Sequence, residues 1–211
     1  MPDNDSGARV LSSRSGVDIF EAHYAGAPGA GWEIGRPQSA LVRLAEAGAF
    51  SGRVLDIGCG SGDNALLAAG LGLETTGVDA APSAIELARR KARERGADTA
   101  RFEVCDVLRL ETLGEQFDTV IDVGCFHCFL PEDRPALVRS VSAVTAPGAR
   151  YHLMCFSDRQ PGSQGPHRVT EAELRSSFAT GWRIDSLEPA ALDVAFEPGT
   201  AQAWAAALTR L

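Results

Sequence analysis

Short apolar runs alternate with amphipathic stretches along most of the chain, a pattern typical of a parallel sheet with crossover helices. The apolar runs predict five strands: Arg53–Ile57, Leu73–Val78, Arg101–Asp106, Phe117–Val123 and Arg150–Phe156. Several of these runs lack strict polar–apolar alternation, as expected when helices cover both faces of a sheet. Trp182–Leu187 and Gln202–Leu208 predict two closing strands, although the alanines at 205–207 are poor strand formers.

Helical periodicity and helix-ending residues fill the gaps between the predicted strands. The predicted helices are Pro37–Ala47, Asp63–Ala69, Pro82–Glu94, about Glu132–Val144, and Thr170–Phe178, with a short amphipathic piece at Val17–Tyr24. The pattern therefore predicts an amino-terminal arm over residues 1–35 and one α/β domain over residues 36–211. Within that domain, the polar, turn-rich segment 157–169 is long enough to act as a lid.

Composition narrows the class of protein. The chain has 211 residues, 28 of them acidic and 20 basic, with a net charge of −8, which fits one domain and argues against a nucleic-acid scaffold. A polar start without a secretory signal, and the lack of any long apolar stretch, predict a protein with no membrane partner. Five cysteines, an odd number and mostly in apolar runs, suggest reduced thiols in the cytoplasm. The sequence leaves the oligomeric state open.

The strongest motif is a buried strand that runs into three glycines and then a helix. Gly58, Gly60 and Gly62 allow a ligand to approach the backbone, and the helix start adds unpaired N–H groups. A dinucleotide fingerprint needs a sixth-position glycine, where this chain has Asp63, whose charge would repel a pyrophosphate. The spacing, with Asp56 inside the strand, instead suits a cofactor with a cationic, phosphate-free tail.

Acidic residues end the next two strands as well. Asp79 is placed to accept hydrogen bonds from both hydroxyls of a ribose. Asp106 and the adjacent backbone could bind an adenine amino group. Each aspartate alone could be a surface or capping residue, but acids at three successive strand tips together indicate a nucleoside site.

Over about residues 50–157 the chain resembles the class I S-adenosylmethionine-dependent methyltransferases, through the glycine motif, Gly77-Val78-Asp79 and the run Phe117–Asp122. The resemblance implies a doubly wound, seven-stranded, mostly parallel sheet with an antiparallel last strand. It also implies S-adenosyl-L-methionine as cofactor across the ends of strands one and two. The implied cofactor contacts are Asp56, Gly58, Gly60 and Gly62 at the methionine part, Asp79 and Ala80 at the ribose, Asp106 and Val107 at the adenine, and Val123 and Gly124 near the methyl donor.

Two short segments, Gly31–Gln38 and Pro131–Arg134, are similar to segments of thiopurine S-methyltransferase and the thiol/halide methyltransferases. This resemblance implies a small thiol or heteroaromatic acceptor. It further implies that Trp32 closes over the cofactor and that Arg36 pairs with a carboxylate. In the alternative interpretation, Trp32 and Arg36 only fix the amino-terminal arm to the core.

His127 follows the fourth strand, beside the expected position of the methyl group. It is the candidate general base or substrate-orienting group, and the alternative is a histidine that only hydrogen-bonds a loop carbonyl. His152 lies inside the fifth strand and is expected to be structural. His23 and His167 fall in the two segments expected to cover the site, and the sequence does not decide whether either contacts substrate.

The leading hypothesis is a methyltransferase acting on sulfur, nitrogen or oxygen of a small organic molecule. The segment after strand four lacks the Asn-Pro-Pro-aromatic motif of base-modifying enzymes, so nucleic acid is a disfavoured substrate. One alternative is a metalloid methyltransferase using Cys125, Cys128 and Cys155, since thiolates favour soft ions. Another is a non-catalytic scaffold that only binds the cofactor. No resident metal is expected.

Overall fold

The computed structural model describes residues 14–27, 30–163 and 165–211 of the chain. Seven strands form one sheet in the spatial order β3-β2-β1-β4-β5-β7-β6. The strands are β1 (Val54–Ile57), β2 (Thr75–Asp79), β3 (Ala100–Val104), β4 (Phe117–Val123), β5 (Thr145–Phe156), β6 (Trp182–Asp193) and β7 (Thr200–Arg210).

Strands β1 to β5 pair in parallel, whereas β7 runs antiparallel to both of its neighbours, β5 and β6. The predicted doubly wound, mostly parallel sheet with an antiparallel last strand is therefore confirmed. The carboxyl ends of the parallel strands share one edge, and Phe156 at the end of β5 lies opposite Ala203 near the start of β7. The turn between β6 and β7 consequently lies at that same edge, which is where such folds bind ligands.

Six α-helices connect and flank the strands of the described chain: α1 (Arg14–Tyr24), α2 (Ser39–Glu46), α3 (Asp63–Gly70), α4 (Pro82–Arg95), α5 (Arg134–Ala143) and α6 (Glu171–Ser177). Short 3₁₀ helices at Val107–Leu113 and Phe126–Cys128 were not predicted from the sequence. Helix α4 has proline in its first turn and ends at Gly96, which adopts a left-handed conformation. Of the predicted arm, residues 1–13, 28 and 29 lie outside the described residues.

Both faces of the sheet are buried, as the non-alternating strands predicted. Leu55, Ile57 and Val120 pack into the larger apolar cluster on one face. Val54 and Ile121 pack on the opposite face, against α2 and α3. The central strands β1 and β4 therefore contribute apolar surface in both directions, and the polar residues near the strand ends stand out from this core.

Two strand boundaries differ from the prediction for identifiable reasons. β3 ends at Val104 rather than Asp106, because the Asp106 carboxylate accepts a hydrogen bond from the Leu108 N–H at 2.9 Å and starts a 3₁₀ helix. β7 extends over Thr200–Arg210 despite its alanines. Its backbone pairs with β5 on one side and β6 on the other, and this pairing outweighs the low strand preference of alanine.

Among the described residues, none of the helices combines the length and the apolar character needed to cross a membrane. All five cysteines are free thiols.

Candidate active site

The glycine loop joins β1 to α3 at the carboxyl edge of the sheet. Gly58 and Gly60 adopt positive φ angles of 62° and 53°, which side chains rarely tolerate. A Cβ atom on Gly58 would press on Cys125, and one on Gly60 would overlap the Tyr24 hydroxyl. Gly62 begins α3 without any side-chain cap, so the first N–H groups of that helix remain available to a ligand. The Gly60 and Gly62 N–H groups are already engaged, by Asp79 and by the Cys59 carbonyl, so the uncapped start of α3 is what offers backbone donors beside the loop.

Asp79 joins this loop to the end of β2 through hydrogen bonds. One carboxylate oxygen accepts the Gly60 N–H at 2.9 Å, and the other accepts the Ala81 N–H at 2.9 Å. Burial raises the pKa of Asp79, and these N–H groups partly counteract that rise. A carboxylate has about four acceptor positions, so Asp79 retains capacity to bind hydroxyl groups of a ligand.

Two more carboxylates lie beneath the site, on opposite faces of the sheet. Asp56 in β1 is buried, and its Oδ2 atom has no hydrogen-bond partner. Burial raises the pKa of Asp56 well above its ordinary value, and the nearby charge of Asp122 raises it further. An unpaired buried carboxylate oxygen next to the glycine loop is suited to a positively charged ligand.

Asp122 in β4 holds the segment that follows the strand. Its Oδ1 atom accepts the N–H groups of Cys125 and Phe126 at 2.9 and 3.2 Å, and its Oδ2 atom accepts the Tyr151 hydroxyl at 2.8 Å. Burial raises the pKa of Asp122 to about 6. Asp122 was not predicted from the sequence, because its role depends on contacts with a strand 29 residues further along the chain.

Asp63 does not present an unpaired charge to the loop. Its carboxylate accepts from Lys91 Nζ at 2.6 Å and from Arg95 at 2.8 Å, both on α4. Lys91 also donates to the Ser61 hydroxyl at 2.6 Å. The expected repulsion between Asp63 and a pyrophosphate therefore loses its basis, since these two cations neutralise the charge of Asp63.

At the predicted adenine end, Asp106 and Val107 lie beyond β3 rather than within it. Asp106 is exposed and caps the 3₁₀ helix with one oxygen, while Val107 is buried. At the methyl end, Gly124 adopts a φ of 83° directly after Val123. The contacts proposed for these residues with a cofactor stay predictions.

Arg36 takes the anchoring role that was the alternative interpretation. Its Nη1 atom donates to the Asp193 carboxylate at 2.8 Å and to the Ser39 hydroxyl at 3.2 Å. Gln38 adds hydrogen bonds to the backbone N–H and C=O of Asp193 at 2.9 and 3.0 Å. The expected carboxylate partner of Arg36 is therefore supplied by this chain's own β6.

Trp32 supports another arm residue instead of contacting the glycine loop itself. The indole is 40% exposed and lies edge-on to Phe20 and His23. Its N–H donates to the Tyr24 hydroxyl at 2.9 Å. Tyr24, which was not predicted from the sequence, is the arm residue that lies on Gly60. No spacing signal identifies it, because α1 is separated from the glycine loop by more than thirty residues.

His127 is buried, and its ring orientation is fixed by the backbone. Its Nδ1 atom accepts the Phe156 N–H at 2.9 Å, so the ring proton must lie on Nε2. Burial, with the positive charges of Arg168 and Arg134, lowers the pKa of His127 to about 3. This arrangement argues against His127 as a general base, because Nδ1 is engaged and the ring proton lies on Nε2. The catalytic role of His127 stays a prediction, with Nε2–H as the group that would orient an acceptor.

The segment predicted as a lid is tied down at both ends. The Asp158 N–H donates to the Val169 carbonyl at 2.9 Å, and the His167 N–H donates to the His127 carbonyl at 3.1 Å. The His167 ring lies 2.9 Å from a Glu173 oxygen. Residue 164 lies outside the described residues, and movement of this segment stays a prediction.

That Glu173 oxygen also pairs with Arg134 at 3.1 Å, and Arg134 is only 1% exposed. The contact between Arg134 and α6 fixes the start of α5 below the site. His152, by contrast, packs against Phe50 within β5, as expected of a structural residue.

The cysteines do not assemble into a metal site. Within the described ranges, no three His, Cys, Asp or Glu side chains are arranged to hold a metal ion. Burial raises the pKa of Cys128 to about 12 and those of Cys125 and Cys155 well above the ordinary value. The three residues are therefore protonated thiols, and the structure gives the metalloid alternative no support.

Comparison with known proteins identifies the family. A family model described as a methyltransferase domain matches residues 54–148. The chain is 38% identical over 199 residues to the 2-heptyl-1-hydroxyquinolin-4(1H)-one methyltransferase of Mycobacteroides abscessus, covering 89% of this chain and 88% of that protein. The chain belongs to the class I S-adenosylmethionine-dependent methyltransferases.

Two further proteins are similar to this methyltransferase, to different degrees. A structure solved for the work "Conversion of a Disulfide Bond into a Thioacetal Group during Echinomycin Biosynthesis" is 35% identical, with a TM-score of 0.83 over 92% of this chain and 91% of that one. The probable thiol methyltransferase 2 of Arabidopsis thaliana is 26% identical over 78% of this chain and 73% of that protein. The family resemblance is confirmed, whereas the thiol methyltransferase group is only a distant relative.

The residues of this methyltransferase fit its cofactor, which supplies a methyl group on a positively charged sulfur. Asp56 leaves a buried carboxylate oxygen unpaired, and Asp79 retains acceptor positions at the end of β2. The loop backbone packs closely on Cys125 and Tyr24, at distances that exclude a Cβ atom on Gly58 or Gly60. Carboxylates that favour a cation and backbone donors that favour a carboxylate group are thus both present at one edge of the sheet.

Proposed function

We propose that this methyltransferase acts on a sulfur, nitrogen or oxygen atom of a small thiol or heteroaromatic acceptor that arrives with no proton on the attacking atom. The observation that carries the proposal is the state of His127: its Nδ1 lone pair is engaged by Phe156 and its pKa is about 3. Such a histidine can orient an acceptor but cannot remove a proton near neutral pH.

The other described groups near the end of β4 are equally poor bases. Both oxygens of Asp122 are engaged by three donors, and Cys125 and Cys128 are thiols with raised pKa values. Methyl transfer needs only an in-line nucleophile and exclusion of water when the acceptor has a free lone pair. Thiolates, ring nitrogens and acidic hydroxyl groups on heteroaromatic rings meet that condition.

The distribution of charge supports the same acceptor class. Asp56, Asp79 and Asp122 place carboxyl groups on the cofactor side of the site. The positive charges of Arg168 and Arg134 act on His127, and Arg134 is itself paired with Glu173 at 3.1 Å. An acceptor with negative charge on its reacting atom would be attracted to the cationic methyl donor itself.

The named relatives are consistent with such acceptors. One is named for a hydroxyquinolinone, one is linked to a disulfide and a thioacetal, and one is named as a thiol methyltransferase. We further propose a cytoplasmic location, because five free thiols suit a reducing compartment. The net charge of −8 favours a small-molecule acceptor over nucleic acid or a membrane surface.

The test is an acceptor series graded by acidity: aryl thiols, N-hydroxyquinolones and simple phenols, with release of S-adenosylhomocysteine as the readout. We expect turnover at pH 7 to follow the fraction of each acceptor that is already deprotonated. Rapid methylation of simple phenols, which stay almost fully protonated at pH 7, would show that the enzyme supplies a base, against the proposal. Cofactor binding with no turnover on any acceptor would favour the scaffold alternative.

A cysteine variant distinguishes an enzyme for organic acceptors from the metalloid alternative. Cys128→Ser should keep most of the activity on organic acceptors, because the Cys128 thiol only donates to the Gly124 carbonyl at 3.2 Å. Loss of activity on arsenite, with retention on thiols, would favour the metalloid enzyme instead.

A further inference from the structure

Helix α1 is fixed against α4 by polar contacts. The Glu21 carboxylate accepts the Ser83 N–H at 3.0 Å and also the Ser83 hydroxyl, at the amino end of α4. Glu33, further along the arm, lies 3.7 Å from Lys91 Nζ. These contacts hold α1 and the following turn against the helix whose preceding strand ends in Asp79. The described part of the arm is therefore held against α4, beside the glycine loop that Tyr24 contacts.

Tyr24 is the residue of α1 that contacts the glycine loop. Its hydroxyl occupies the space that a Cβ atom on Gly60 would need. Burial raises the pKa of Tyr24, and the charges of Asp79 and Glu33 raise it further, so the phenol keeps its proton. The hydroxyl packs on Gly60, whose N–H donates to Asp79, so it also lies near the carboxylate that the sequence assigns to the ribose.

The neighbouring Trp32 decides how the Tyr24 hydroxyl can hydrogen-bond. Trp32 can only donate, so the Tyr24 oxygen accepts the indole N–H at 2.9 Å. The phenolic proton is consequently left to donate in another direction. A ligand oxygen beside the loop would therefore find Tyr24 as a side-chain donor, next to the uncapped first N–H groups of α3.

We propose that Tyr24 binds the cofactor directly and donates a hydrogen bond to the carboxylate of its methionine part, with Trp32 as the positioning residue that orients the phenol. The carboxylate is the cofactor group that needs donors, because the nearby carboxylate of Asp79 offers it only repulsion. The uncapped first N–H groups of α3 and the Tyr24 hydroxyl together supply those donors. The proposal concerns the cofactor alone and does not depend on the acceptor class.

The test is calorimetric binding of two ligands to the full-length protein. S-adenosylhomocysteine carries the amino-acid carboxylate, whereas methylthioadenosine has the same nucleoside without it. Tyr24→Phe removes only the hydroxyl and should weaken S-adenosylhomocysteine binding about tenfold, or about 1.4 kcal/mol. The same variant should leave methylthioadenosine binding unchanged within about twofold. Trp32→Phe should weaken S-adenosylhomocysteine binding in the same selective way, by a smaller factor.

Asp18→Asn is the matched control, because Asp18 is an exposed residue of the same helix. It should alter neither dissociation constant, and circular dichroism should show an unchanged fold for every variant. Equal weakening of both ligands by Tyr24→Phe would overturn the carboxylate assignment. Tighter binding of both would show that Tyr24 blocks the crevice rather than binding the cofactor. Failure of the unaltered protein to bind either ligand would instead contradict the cofactor site itself.

Discussion

Alanine at Gly60 should damage cofactor binding far more than alanine at another left-handed glycine. Gly60 has a φ of 53° and contacts Tyr24, whereas Gly72 has a φ of 81° and an added Cβ atom there would meet nothing within 4 Å. Both substitutions place a side chain in the left-handed region, which costs roughly 1–2 kcal/mol. Both variants should therefore unfold at a temperature roughly 2–8 °C lower, because about 1 kcal/mol shifts Tm by roughly 2–4 °C in a domain of this size.

The ligand response separates the two variants. With S-adenosylhomocysteine at about 100 times its dissociation constant, binding should stabilise the unaltered protein by about 2.7 kcal/mol. Gly72→Ala should retain that stabilisation. In Gly60→Ala the new methyl group displaces Tyr24 and fills part of the crevice, so at least tenfold weaker binding should remove about 1.4 kcal/mol of it.

Thermal unfolding followed by circular dichroism, with and without the ligand, measures both effects in one experiment. The ligand-induced rise in Tm should be smaller in Gly60→Ala than in Gly72→Ala by roughly 3–6 °C. Equal rises in the two variants would refute the placement of the cofactor on the glycine loop.

Substitutions at three further positions test the site and its support. Asp79→Ala should weaken S-adenosylhomocysteine binding at least tenfold by calorimetry, and an unchanged dissociation constant would remove its ribose assignment. His127→Gln keeps an N–H donor near the position of Nε2 and should retain much more activity than His127→Ala, whereas equal losses would argue against an orienting role. Because the folded pKa of His127 is about 3 and the ordinary value is 6.5, the unfolded chain takes up a proton first as the pH falls. The unfolding free energy of the unaltered protein should therefore exceed that of His127→Gln by less as the pH falls, by about 1.4 kcal/mol per pH unit between about pH 6.5 and 4.5. If urea unfolding gives a difference that does not change with pH, the assigned protonation state of His127 is contradicted. Arg134→Met should lower stability by about 2 kcal/mol, because Glu173 loses a buried partner; an unchanged urea midpoint would contradict that role.

The sheet and the glycine loop could be predicted because their signals are local. A buried apolar run followed by three closely spaced glycines specifies a strand, a turn and a helix within about ten residues. The length of β7 could not be predicted in the same way, because pairing with β5 and β6, rather than alanine's own preference, makes it a strand. The local sequence pattern of a segment does not reveal which strands it will pair with.

The positions of candidate site residues could be predicted where they follow from the end of a strand. They were missed where they depend on contacts between residues far apart in the sequence. Asp79 lies where its position in the sequence indicated, at the tip of β2 beside the loop. Arg36 finds its carboxylate partner 157 residues further along the chain, at Asp193. The protonation of His127 is fixed by a backbone N–H 29 residues away, at Phe156. Such pairings arise only when the fold brings strand ends and loops together.

The central claim is that the crevice at the carboxyl ends of β1 and β2 binds the adenosyl cofactor. A crystal structure of the protein grown with S-adenosylhomocysteine tests this claim most directly. We expect density with the amino-acid part against Gly58–Gly62 and the ribose hydroxyls on Asp79. Ordered ligand at any other place on the sheet, or a crevice that stays empty at saturating ligand, would contradict it.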